Sequence, residues 1–153
     1  MKRVHLLAVL FVFVSLIAVP CLAELQAITI LGHSPDVIDG SEPCYIWGGW
    51  GTFPLSEYPT PKDALANLEE GGYRIDLYAD DEQVSAHVWH RVLPASHPDN
   101  WLDEPIRSFR WRHIFGRNLL SPGIHVFKAV YIVESLGFEM SRTHEVLVTY
   151  PEL

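Results

Sequence analysis

Histidines and carboxylates are the residues here most able to do chemistry, and their spacing decides how much they can do together. The 153-residue chain carries eight histidines. His87-x-x-His90, with His97 close behind, has the residue type of a metal site. The surrounding residues alternate as a β-strand, however, and residues three apart on a strand point to opposite faces, so His87 and His90 cannot share one ion without a bulge. A copper centre built from cysteine, histidine and methionine late in the chain is also missing, since Cys44 comes early and Met140 stands alone. No metal and no cofactor are expected. Catalysis needs a nucleophile beside a base, or paired carboxylates in a cleft. Asp76, Asp80, Asp81, Glu82, Asp99, Asp103 and Glu104 fall mostly at turns or on strand faces expected to be solvated. Gly-x-Ser-x-Gly, a glycine-rich phosphate loop and His-Glu-x-x-His do not occur. The chain is expected not to be an enzyme; the alternative, a small metal-dependent or hydrolytic enzyme, rests on the histidine count alone.

Thiol chemistry needs an electropositive, accessible setting. Cys44 lies beside Ile46 in a strand-like stretch with no such setting, and is expected to be a small buried hydrophobe. Aromatic residues are the enrichment that points to binding. Trp47, Trp50, Trp89, Trp101 and Trp111 are joined by Tyr45, Tyr58, Tyr73 and Tyr78. Exposed indoles can stack on sugar rings, presenting an apolar face and a polar tip together. If Cys44 and Ile46 face a core, Tyr45 and Trp47 face out; if His125, Phe127, Ala129 and Tyr131 face in, Val126 and Val130 face out. Tyr45, Trp47, Trp50, Trp101, Val126 and Val130 are therefore the candidate binding residues. Such an outer face is open to three readings: a second small core under a Gly48–Glu70 loop, a protein interface, or a carbohydrate surface. Arg107, Arg110, Arg112 and Arg117 form a basic cluster, expected to pair with acids on neighbouring strands rather than to hold an anion.

These side chains must be placed mainly by strands. Leu25 to Leu31 alternates, Cys44 to Trp47 is a second strand, and Gly48-Gly49-Trp50-Gly51 is expected to end it and open a long loop. Thr60-Pro61-Lys62-Asp63 combines an N-cap threonine, proline at the first helical position and an acid three residues after the cap. A short helix through Leu65 and Leu68, stopped by Gly71-Gly72, follows from it. Tyr73 to Ala79 and Gln83 to Val92 read as a hairpin turning on Asp80-Asp81-Glu82, with Ser85, His87, Trp89 and Arg91 sharing one face of the second arm. Along Arg107 to Phe115, Phe109, Trp111 and Phe115 take one face and Arg110 and Arg112 the other. Ile124 to Val133 and Thr143 to Tyr150 complete about seven strands. Turn signals at regular spacing and almost no helix describe an all-β chain, an antiparallel β-sandwich.

Two segments carry a resemblance. Leu120-Ser121-Pro122-Gly123-Ile124-His125-Val126-Phe127-Lys128-Ala129-Val130-Tyr131 resembles the sixth strand of immunoglobulin-like and fibronectin-III-like domains of secreted prokaryotic proteins, and Ile75 to Val84 is similar to their third-strand hairpin. The resemblance implies an immunoglobulin-like sandwich. It departs from the pattern where His125 replaces the corner tyrosine and Phe127 a disulfide cysteine. At that corner His125 is expected to hydrogen-bond a nearby carbonyl through its ring.

The chain begins with Met1-Lys2-Arg3, an uncharged run from Val4 to Val19, and small residues at Cys21 and Ala23, the pattern of a helical signal peptide (1–23) cleaved after Ala23. Retention of that segment as a membrane anchor is the alternative. Lys2 and Arg3 would leave with it, so 9 of the 11 basic residues remain against 19 acidic ones, and the formal charge goes from −8 to −10. Residues 24–153 then form one domain, secreted, periplasmic or at the cell surface, with Cys44 as its lone thiol. The acidic balance argues against nucleic acid as a partner. A membrane is involved only if the first segment is kept. The expected function is an exported, non-catalytic binding, adhesion or envelope-assembly module, its partner an unidentified protein or polysaccharide at the cell surface. The alternative binding function is a carbohydrate-binding module with tryptophan platforms.

Overall fold

The computed structural model describes residues 25–30 and 35–151. The expected signal segment, His33 and the side chain of Trp50 lie outside the described residues. Among the described residues the chain forms nine β-strands and one α-helix: β1 (Gln26–Thr29), β2 (Val37–Asp39), β3 (Cys44–Pro54), α1 (Pro61–Glu70), β4 (Tyr73–Ala79), β5 (Glu82–Val84), β6 (His87–Leu93), β7 (Ile106–Phe115), β8 (Gly123–Val133) and β9 (Phe138–Thr149). The all-β class is as expected from the alternation. No helix among these residues is long and apolar enough to cross a membrane.

The strands form a four-stranded sheet in the order β1-β3-β7-β6 and a five-stranded sheet in the order β2-β9-β8-β4-β5. Both sheets are mixed, which corrects the expectation of a wholly antiparallel arrangement of about seven strands. β1 runs parallel to β3, and β2 runs parallel to β9. Parallel neighbours need a crossover of a dozen or so residues. Between β1 and β3 in sequence lies β2, which pairs with the other sheet. The short strand β2 has too few residues to show an alternation, so no sequence signal marks it.

The inner faces of the two sheets contribute to one hydrophobic cluster. Ile46, Phe109, Trp111 and Phe115 come from the four-stranded sheet, and Ile75, Leu77, Phe127, Tyr131, Val146 and Val148 from the other. Each set occupies alternate positions of its strand, the period that a half-buried strand requires. Phe115 and Phe127 meet across the two sheets with ring centroids 5.8 Å apart.

Helix α1 begins where the capping residues place it. Thr60 Oγ1 accepts the Asp63 N–H at 3.2 Å and donates to the Asp63 carboxylate at 2.6 Å. Pro61 occupies the first turn, and the Gly71 N–H closes the far end on the Asn67 carbonyl. Ala64 and Leu68, four residues apart, both enter the main core. The helix therefore completes the principal cluster, where the sequence left open a second core over an outer face.

Two further expectations are corrected by the backbone. Gly48-Gly49-Trp50-Gly51 does not end β3; the strand continues to Pro54 through a register shift between Gly49 and Thr52, with Gly51 at φ 119°. A bulge of this kind bends a strand without stopping it, and the positive φ suits glycine. The arm from Gln83 to Val92 is not one strand either. It pairs with β4 as β5, then changes sheets at Ser85-Ala86 to pair with β7 as β6. His113 Nδ1 lies 2.7 Å from the Ser85 carbonyl and helps fix that crossing. His125 is placed as its corner position implied. It is buried, with Nε2 2.8 Å from the Ser121 carbonyl and Nδ1 2.6 Å from Asp80 Oδ2.

Candidate functional site

The outer face of the four-stranded sheet carries the candidate site. On β3 the alternation turns Cys44 and Ile46 inward and leaves Tyr45 and Trp47 half-buried on the outside. On β7 the same rule buries Phe109 and Trp111 and sends Arg110 and Arg112 out. On β6 it aligns His87, Trp89 and Arg91 with them, because His87 pairs with Arg112, Trp89 with Arg110 and Arg91 with Ser108. The cross-strand partners of Arg112 and Arg110 on β3 are Trp47 and Gly49.

Within this lattice the arginines reach diagonally. The Arg110 guanidinium carbon sits 3.9 Å from the Trp47 ring centroid, and that of Arg112 lies 5.5 Å from the Trp89 ring. Diagonal neighbours on a sheet are within reach of long side chains, and cations are attracted to the indole face. Gly49 makes the first stack possible. A Cβ there would stand 2.7 Å from both Arg110 Nη1 and Trp47 Cζ3.

Two concavities adjoin along this face. The first, about 570 Å³, is lined by Leu25, Ala27 and Thr29 on the β1 side, by Tyr45 and Trp47, and by Trp89, Arg91, Arg110 and Arg112. The second, about 620 Å³, lies between the β3 bulge and the Pro94–Pro105 connection, where Trp101 is 72% exposed. Asp99 and Arg110 line both, so the two form one trough across the strands. Leu93 and Ile106 are buried at the β6–β7 end of the sheet. Asn100 Nδ2 ties the connection down by donating to the Pro94 and Glu104 carbonyls at 3.0 and 2.9 Å.

The electrostatics of the trough differ from those of the chain. Arg91 reaches Asp99 at 3.2 Å. Among the described residues no carboxylate lies within ion-pair distance of Arg110 or Arg112, and Asp99 is the sole acid lining either concavity. Burial pushes the Arg110 guanidinium below its ordinary value and the neighbouring Arg91 charge adds to the effect, while Asp99 offsets part of it. The expected pairing of the basic cluster with acids holds for Arg117, which meets Glu42 at 2.9 Å. It does not hold for Arg110 and Arg112, whose partners are indole rings. Arg107 turns inward, where Nη2 donates to the Pro59 carbonyl at 3.0 Å.

Tyr45, Trp47 and Trp101 are thus brought to one face, with Trp50 contributing its backbone to the same strand. Val126 and Val130 do not join them. Both point outward as expected, but from β8, on the outer face of the five-stranded sheet. There Val126 is 37% exposed, and Val37, Leu147 and Ile124 form an apolar row across β2, β9 and β8. The single outer face expected from the sequence is two faces on opposite sheets. Trp89, Arg91, Asp99, Arg110 and Arg112 belong to the site and were outside the candidate set. The alternation that put Trp89 and Arg91 on one side of their strand was their available signal. No protein-family model, curated protein or solved structure matches the chain.

Proposed function

We propose that this chain is an exported, non-catalytic module of immunoglobulin-like architecture that works by binding, with the trough on its four-stranded sheet as the ligand site. The observation that carries this reading is the set of aromatic and arginine side chains from β3, β6 and β7 lining one open trough. Planar apolar faces and forked cationic donors held on paired strands recognise a ligand without transforming it, since no nucleophile with a base lies among them.

The strand order supports the architecture. Immunoglobulin-type sandwiches place their first, second, fifth and fourth strands in one sheet and the third, sixth and seventh in the other. With β2 and β5 set aside as edge additions, β1-β3-β7-β6 and β4-β8-β9 follow that order. The parallel pairing of β1 is the departure from it. Export is supported by the basic start, the uncharged run and the small residues at Cys21 and Ala23.

The test is a panel of envelope proteins and cell-surface polysaccharides added to the full chain, read by tryptophan fluorescence and the indole N–H resonances. Binding at the trough moves the Trp47 and Trp89 signals, and Trp89→Ala abolishes the response. A panel that moves neither signal, or moves only signals of the five-stranded sheet, would sink the assignment.

A further inference from the structure

We infer that the trough takes an acidic polysaccharide whose sugar rings carry carboxylates, recognised by the Arg110–Arg112 pair on a floor of aromatic rings. This rests on the binding-module reading and names its ligand.

Charge is the first argument. Three guanidinium groups and one carboxylate line the trough, in a chain whose formal charge is −8. Arg91 takes Asp99 as its ion-pair partner. Asp99 acts on Arg110 only from beyond ion-pair distance, so the two half-buried cations of β7 face the trough without a paired carboxylate. A desolvated cation without a counter-charge is unfavourable, and a bound anion restores the balance. The asymmetry is local and opposite in sign to the rest of the molecule, so it is a property of this surface.

Geometry narrows the anion. A guanidinium presents its N–H groups in a planar fork that matches a carboxylate in bidentate fashion. Stacking on an indole fixes the plane of that fork while leaving its edge donors free, and both arginines have an indole in position. They stand two residues apart on one strand face, about 6.8 Å along β7. The acidic balance of the chain, 19 acidic against 11 basic residues, disfavours a polyphosphate strand as the anion. A polymer with one carboxylate per ring offers an acid to each fork in turn.

The remaining surface suits the ring. Tyr45 and Trp89 offer aromatic faces beside the guanidinium groups, and sugar C–H faces pack on such rings while their hydroxyls keep to water. The trough is open and crosses β1, β3, β7 and β6 to reach Trp101, a course for several linked rings rather than one enclosed molecule.

The experiment titrates the full chain with polygalacturonate oligomers, neutral dextran and dextran sulfate, by calorimetry and tryptophan fluorescence. Polygalacturonate is expected to bind, and added salt to weaken it progressively as the charges are screened. Arg110→Ala and Arg112→Ala should each lower affinity about tenfold or more, as expected for loss of a charge-assisted bond. Both variants should keep the wild-type melting temperature, because the two side chains lie outside the main core. Arg110→Lys should recover only part of the loss, since an ammonium lacks the fork. Dextran binding equal to polygalacturonate would overturn the inference and leave the module reading standing. Binding of dextran sulfate alone, or salt-independent binding, would likewise overturn it. If none of the three binds, the inference fails, and the module reading falls only if the wider panel also leaves the indole signals unmoved.

Discussion

Single side chains set what this molecule can and cannot do. Cys44 is buried beneath the sheet, and burial raises its thiol from an ordinary 9.0 to about 11. Since the thiolate is the reactive form, Cys44 should resist a thiol reagent such as DTNB at pH 8 in the folded protein and react fully in denaturant. Rapid labelling of the native chain at the rate of a free thiol would contradict that placement. Gly49 controls a different property. Its missing Cβ leaves the room in which Trp47 and Arg110 stack, and the atoms that an added methyl would meet belong to those two side chains rather than to backbone. Gly49→Ala should therefore fold, with a melting temperature within a few degrees of the parent, yet lose the stack. Altered tryptophan emission and weakened ligand binding are the expected readouts; an unchanged spectrum with unchanged binding would show that the stack does not depend on this glycine.

At the scale of elements, the β4–β5 turn shows how a local strain is held for a longer-range purpose. Asp80 and Asp81 both adopt positive φ, 50° and 67°, as a type I′ hairpin turn requires. Their roles differ. Asp80 Oδ1 accepts the Val126 N–H at 2.9 Å while Oδ2 meets His125, so the turn is anchored to β8. Asp81 is exposed, with Lys128 only at 3.9 Å. Asp81→Gly should then stabilise the protein by about 0.5–1 kcal/mol, because glycine adopts this conformation without steric cost. Asp80→Gly should destabilise it by about 1–3 kcal/mol, because the His125 ring and the Val126 N–H both lose a partner. Thermal unfolding of the two variants decides the matter; shifts of the same sign and size would show that the turn's backbone outweighs its anchoring. This hairpin was legible in the sequence because alternation and turn residues are local signals. So was the facing of β7, with Phe109, Trp111 and Phe115 in and Arg110 and Arg112 out. The neighbours of each strand were not legible, since Trp47 meets Arg110 only once β3 and β7 pair across 60-odd residues of chain. Local alternation gave Val126 and Tyr45 the correct outward sense, but it carries no information on which sheet each strand joins.

For the whole molecule, the shared core places three ionisable groups where charge is unwelcome. Besides Cys44, burial raises the Tyr73 and Tyr131 hydroxyls well above the ordinary phenol value of 10.0, and for Tyr73 the neighbouring Tyr131 adds to the shift. Arg142 and Arg110 offset only part of the rise at Tyr131. Each group is neutral when protonated, so the unfolded chain ionises first as pH rises and holds fewer protons than the folded one. Stability must then fall with increasing pH, starting near the ordinary thiol value of 9.0 and steepening beyond 10.0 as the tyrosines join. The thiol alone removes up to about 1.4 kcal/mol per pH unit until its folded value of about 11 is reached. Urea unfolding between pH 7 and 11 should show a flat midpoint to about pH 8.5 and a progressive decline after it. Cys44→Ala lowers stability throughout by opening a small cavity, but its decline should begin about one unit later, when the tyrosines start to titrate. A parent midpoint that stays level to pH 11 would mean that these groups ionise without unfolding, and that the core joining the two sheets is open to water.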